Sequence, residues 1–278
     1  MRNKITIKYL TIGFLLLLTV GCEDVIQVDL NDSEPVIVIE GEVIENNNSS
    51  KVLITKSTDF YKPGVYQTIS GAKVLLRDSE GNSFDYNETS PGVYESSNIP
   101  TKFGIEYSLE VVVEGKTYNA VSTMPNSIIL DSLRLEKAPD KPKEEGLGRF
   151  FLHVYFQDHF GIAEYCRFKL YNNGVQLSGF NIYYDKLTDG NYIDYRLILD
   201  ATKNDIQLGD TLTVELMSID EAAFNFYKTA SSINASATTD KPHETSVAPA
   251  NPVTNWNNKA LGFFSAFTVS EKSIIMKL

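Results

Sequence analysis

The sequence predicts a mainly β protein built as two sandwich-like domains with a single helix, and three observations predict it. Short runs of alternating apolar and polar residues occupy nearly everything after residue 34. Turn signals such as Asp78-Ser79-Glu80-Gly81-Asn82 and Glu114-Gly115-Lys116 separate those runs. Helical spacing stands out in one segment, near residues 219–233.

The first domain is expected over residues 35–125. Val36-Ile37-Val38-Ile39 is apolar on both faces, as a central strand would be. Val52 and Ile54 alternate with Leu53 and Thr55, and residues 72–76 follow as another strand. Gly92-Val93-Tyr94-Glu95 is a short strand. Tyr107, Leu109, Val111 and Val113 share one face, and a tight hairpin leads into residues 117–123. About seven short strands with frequent turns predict an immunoglobulin-like or transthyretin-like sandwich.

Met124-Pro125-Asn126-Ser127 breaks the pattern and marks the expected boundary with a second domain, residues 126–278. Phe150, Leu152, Val154 and Phe156 define a buried strand face there, and residues 165–171, 192–199 and 211–217 continue the sheet. A second β-rich sandwich or barrel is expected. Ser218 with Glu221 three residues on reads as a capping box. Ile219, Ala223, Phe226, Ala230 and Ile233 then fall on one helical face, which should pack against the second sheet or plug its end. Residues 234–258 are a long polar connection, a length that marks a functional or mobile loop, and residues 260–278 supply closing strands.

The N-terminus carries an address. Arg2, Lys4 and Lys8 precede an apolar run from Tyr9 to Val20, too short for the ~20 residues that span a bilayer. Gly21 directly before Cys22 is how a lipoprotein signal ends, with cleavage after Gly21 and acylation of Cys22; Thr19 departs from the usual leucine. Residues 1–21 are thus expected to be a signal peptide and residues 22–34 a tether. One acyl chain binds marginally, whereas two or more, such as palmitate, anchor stably. The net charge of −11 argues against nucleic acid and against charge-driven adhesion to an anionic membrane. Two cysteines, one committed to the anchor, leave no disulfide; Cys166 alternates with Phe168 and Leu170 as a small buried hydrophobe.

Catalytic constellations are missing from the sequence. Its three histidines, His153, His159 and His243, form no metal-spaced pair, and no Gly-x-Ser-x-Gly elbow occurs. His153 is expected on the exposed face of its strand, and Asp158-His159 on a turn should point apart. Neither an enzyme nor a cofactor nor a metal site is expected, although Asp185, Asp189 and Asp194 could gather around a loop as oxygen ligands. The binding candidates are aromatic. Tyr183, Tyr184, Tyr192 and Tyr195, with Phe180, either line a sheet or present flat rings with polar tips to a sugar, peptide or protein. Trp256 among Asn255, Asn257 and Asn258 either caps a ligand or partner contact or tucks over the helix.

Taken in order, several of these landmarks carry a resemblance. They are residues 36–43 after the cysteine, Ser70-Gly71-Ala72-Lys73-Val74, Gly92-Val93-Tyr94, Asp131-Ser132-Leu133, Phe156-Gln157-Asp158, Gly209-Asp210-Thr211-Leu212, and Asn251-Pro252 with residues 260–264. Together they resemble domain of unknown function 4249, a family of Bacteroidota lipoproteins; Cys166 departs where a second aromatic is expected. The resemblance implies an outer-membrane lipoprotein encoded beside a TonB-dependent receptor, with that receptor barrel as partner and nutrient uptake as the process. It also makes the acidic Glu23-Asp24 a signal for export to the cell surface. The expected function is an accessory binding subunit of such a system, and the alternative is a surface adhesion or structural module without a transport role.

Overall fold

The computed structural model describes residues 35–45, 49–57, 66–139, 146–179, 181–185, 190–238 and 251–277, with residues 49 and 232–238 described by backbone alone. Gly21, Cys22 and the tether lie outside the described residues. The first half contains β1 (Ile37–Ile44), β2 (Ser49–Lys56), β3 (Gln67–Thr68), β4 (Lys73–Asp78) and β5 (Ser83–Asp85). It continues with β6 (Asn87–Ser90), β7 (Val93–Ser97), β8 (Glu106–Val113) and β9 (Lys116–Thr123). The second half contains β10 (Leu130–Lys137), β11 (Arg149–Gln157), β12 (Tyr165–Asn172), β13 (Val175–Gln176) and β14 (Asn181–Tyr184). β15 (Tyr192–Asp200), β16 (Thr211–Ile219), helix α1 (Glu221–Thr238) and β17 (Leu261–Ile275) complete the order.

These strands form a ten-stranded sheet, a four-stranded sheet in the order β5-β4-β8-β9, and a three-stranded sheet in the order β10-β11-β15. The backbone of the large sheet runs β13-β12-β16-β17-β1-β2-β7-β6, with no closed barrel. Two cores result. Ile39, Ile54, Leu76, Tyr94, Tyr107 and Leu109 belong to the first; Leu152, Phe156, Cys166, Phe168, Leu197 and Leu216 belong to the second. The apolar-on-both-faces segment at residues 36–39 is explained by β1, which sits between β2 and β17 with every edge paired.

Residues 126–278 are not a self-contained half. Residues 35–278 form one compact unit, because β17 is shared. Its first part pairs parallel with β1, from Val38 opposite Leu261 to Ile44 opposite Phe267. Its last part pairs antiparallel with β16, from Ser218 opposite Thr268 to Thr211 opposite Ile275. Phe264 and Ala266 enter the first core while Met276 enters the second. Met124-Pro125 separates the cores along the chain, but the C-terminal strand rejoins them.

The helix also differs from its expected start. Ser218 is still in β16, buried, with its Oγ accepting the Ile128 N–H at 3.0 Å. Asp220 is the cap: its Oδ1 accepts the Ala223 N–H at 2.8 Å, and its Oδ2 accepts the Ser122 hydroxyl and the Thr123 N–H. One carboxylate thus starts α1 and ties it to β9. Ala223 and Phe226 pack with Met217, Ile219, Phe263 and Phe267 on the outer face of the large sheet, so the helix lies across that sheet rather than plugging its end.

Candidate functional site

The outer face of the large sheet is where side chains opposite the cores must go. On β1 that alternation exposes Glu40 and half-buries Glu42. Register places Leu53 beside Glu40 and Lys51 beside Glu42 on β2, and Phe263 and Ser265 beside the same two glutamates on β17. From β12, Arg167 and Lys169 face the same way, opposite the core residues Cys166, Phe168 and Leu170. Helix α1 covers part of this face with Phe226, Tyr227 and Ala230. Between helix and strands lies a groove of about 450 Å³, within the ~300–1,000 Å³ of small-molecule sites.

Its lining mixes two chemistries. Met217, Phe226, Phe263 and Phe267 are apolar, with the Phe226 and Phe263 rings stacked at 4.9 Å. Glu40, Glu42, Lys51, Arg167 and Lys169 stand among them, Glu40 opposite Phe263 and Arg167 opposite Met217 in the strand register. Burial pushes the Glu42 carboxyl above its ordinary value, although Lys169 and Lys51 pull it back. Burial and the neighbouring Arg167 push the Lys169 ammonium below its ordinary value, against the pull of Glu215 and Glu42. The Lys169–Glu215 pair is long, at 3.8 Å. Arg167 lies over the Tyr227 ring with its guanidinium carbon 4.0 Å from the centroid, a cation–π contact. On the floor, Ser265 is 5% exposed and its Oγ has no hydrogen-bond partner among the described residues.

The tyrosines named from sequence do not form one cluster. Tyr195 stacks on Phe168 at 4.7 Å, and its hydroxyl donates to the Ile182 carbonyl. Tyr183 meets Phe156 edge-on at 5.4 Å, so both rings belong to the second core. Tyr184 stacks on Tyr165 at 4.7 Å beside Phe224 of α1. Tyr192, 55% exposed, stacks on Tyr155 and donates to Asp131. The register explains the split: Tyr184 belongs to β14 on the large sheet, whereas Tyr192 belongs to β15 on the small one. Phe180 lies outside the described residues.

The family model for a domain of unknown function (DUF4249) matches residues 23–273. The chain belongs to the DUF4249 family. No curated protein matches it. In this DUF4249 chain Trp256 is neither at the surface, where a ligand or partner contact would hold it, nor over the helix. It is 5% exposed, packs near Phe264 in the first core, and its Nε1–H donates to the Ile39 carbonyl at 2.9 Å. The flanking asparagines supply what a missing strand would. Asn257 exchanges bonds with Asn119, Asn258 donates to Thr117, and Asn255 donates to Val121, all along the edge of β9.

The two histidines among the described residues are likewise engaged, and His243 lies outside them. His153 is buried rather than exposed, because it sits between neighbours on the small sheet: Nδ1 lies 2.7 Å from Asp194 and Nε2 lies 3.3 Å from Arg134. His159 turns to Glu164, at 2.7 Å, while Asp158 accepts the Gly190 N–H. Asp158 and His159 thus point to different partners, as adjacent turn residues should. Of the three aspartates, Asp194 is committed to His153, Asp185 is buried, and Asp189 lies outside the described residues. No group of three or more metal-ligating side chains occurs among the described residues. The DUF4249 groove was invisible to sequence reasoning, since Glu40, Glu42, Lys169 and Ser265 read only as the solvent side of their strands.

Proposed function

We propose that this DUF4249 protein is a lipid-anchored outer-membrane protein that binds a small ligand and serves as an accessory subunit of a TonB-dependent uptake system. The observation that carries the reading is Gly21-Cys22 at the end of a 12-residue apolar run, in an acidic chain with no charge-based route to a membrane. No helix among the described residues is long and apolar enough to cross a membrane. Glu23-Asp24, directly behind the acylated cysteine, favours an outward-facing protein. A groove of ligand size supports a binding role.

Purification of the tagged full chain from detergent-solubilised outer membrane tests this. A TonB-dependent receptor barrel should co-purify, and Cys22→Ala should move the chain to the soluble fraction. A preparation that never contains a receptor removes the transport role, and a C22A variant that stays in the membrane removes the anchor. Exposed Tyr192 and Ile198 on the outer face of the small sheet favour a second reading, a surface adhesion module. Adherence of cells that is lost on deleting the chain, with uptake unchanged, would select it.

A further inference from the structure

We propose that the groove beneath α1 binds a zwitterion with an apolar substituent, the class that contains apolar amino acids and short peptides with free ends. The inference rests on the binding role proposed above and names its ligand class. Three observations converge on it. The groove has the volume of a small-molecule site and is walled by two strands of the first sandwich, two of the second, their shared strand and the helix. Its floor holds a buried hydroxyl, Ser265 Oγ, with no partner among the described residues. Such a group is destabilising unless something bonds to it. Its lining carries both signs of charge beside apolar rings.

The mixed charge decides the ligand's chemistry. Glu42 and Lys169 are both half-buried, so each has lost part of its hydration. Among the described residues no hydrogen bond compensates Lys169, whose ion pair with Glu215 spans 3.8 Å. A purely anionic ligand would meet Lys169, Lys51 and Arg167, the last already held over the Tyr227 ring, but face Glu40 and Glu42; a purely cationic one would meet the reverse. A ligand bearing ammonium and carboxylate together matches both: the ammonium to Glu42, the carboxylate to Lys169 with Lys51 at the rim. Ser265 follows Glu42 across the β1–β17 register and can bond to either group. The substituent then lies against Met217, Phe226 and Phe263, where burial of its apolar surface adds affinity.

Calorimetric titration of the full chain in detergent tests this with Leu-Phe as probe, beside N-acetyl-Leu-Phe, which lacks the ammonium, and Leu-Phe amide, which lacks the carboxylate. Leu-Phe should bind at least tenfold more tightly than either blocked form. Glu42→Gln should erase the preference over the acetylated peptide, and Lys169→Met the preference over the amide, each with an unchanged far-UV spectrum. Ala230→Trp, which fills the groove from the helix, should abolish binding, and Ser265→Ala should weaken it several-fold. Equal binding of blocked and free peptides, no binding of Leu-Phe at millimolar concentration, or tight binding that survives Ala230→Trp overturns the proposal. Receptor co-purification is read separately. A receptor recovered without peptide binding removes the ligand class alone; peptide binding without a receptor removes the transport role alone.

Discussion

Replacement of Gly262 by alanine is the most direct probe of the strand that unites the two cores. Gly262 has φ of +86° and sits opposite Ile39 in the parallel β1–β17 ladder. A Cβ there would stand 2.2 Å from the Ile39 carbonyl oxygen, 2.8 Å from its carbon and 3.0 Å from its nitrogen. Close carbon–oxygen contacts lie at ~3.3 Å, and all three atoms are backbone, so β1 and β17 must part by roughly 1 Å. The left-handed backbone itself costs a non-glycine residue about 1–3 kcal/mol. Parting the strands weakens two or three ladder bonds at about 0.5–1.5 kcal/mol each, and it pulls Ile39 from the Trp256 indole. The sum is about 2–7 kcal/mol, a large share of the ~5–15 kcal/mol that holds a typical protein folded. Trp256→Phe removes the indole donor to the same carbonyl and should cost about 1–3 kcal/mol. Because both substitutions act on Ile39, the double variant should cost less than the sum of the singles by ~0.5 kcal/mol or more. Urea unfolding of the full chain followed by far-UV circular dichroism measures all four corners. A Gly262→Ala cost below about 1 kcal/mol, or strict additivity with Trp256→Phe, would refute the close-approach reasoning.

Three further outcomes follow from the same geometry. The single tryptophan, being 5% exposed, should emit at short wavelength and resist acrylamide; emission like that of free tryptophan would restore an exposed loop. Glu42 holds its proton to higher pH when folded than its ordinary 4.5 allows, because of burial. The stability linked to it is therefore full below that value and falls as pH rises through the raised folded value. Glu42→Gln should remove the fall and raise the melting temperature at pH 7, and a lower one would contradict this. Asp78 is buried at a turn, yet bonds from Asn82 and Glu80 hold its carboxyl below its ordinary 3.8. Its contribution is present above that pH and is lost as pH falls through the lowered value. Asp78→Ala should cost ~1–2 kcal/mol at neutral pH and flatten the acid limb of the stability curve; an unchanged acid limb would count against it.

Much of the fold was legible because strand alternation is a local property. Phe150, Leu152, Val154 and Phe156 are all buried as their spacing predicts, and so are Cys166, Phe168 and Leu170. The Asp78–Asn82 turn is equally local: its carboxylate bonds to backbone two and four residues on. The helix start was misplaced by two residues, since Ser218 and Asp220 are both good caps and only the length of β16 chooses between them. His153, which alternation puts on an exposed strand face, is buried because Asp194 satisfies its ring, and Trp256, open between a partner contact and a place over the helix, lies in the first core because the Ile39 carbonyl takes its indole N–H; both partners are distant in sequence.

By itself the sequence determined the β class, the strand faces and the family, because periodicity, turn chemistry and motif order are written along the chain. Only the tertiary structure decided that β17 serves both cores, that the tyrosines separate onto different sheets, and that Glu42, Lys169 and Ser265 share a groove with Phe226. Those outcomes depend on which strands lie side by side. Strand pairing is set by the total burial of both cores at once, a quantity that no local window contains.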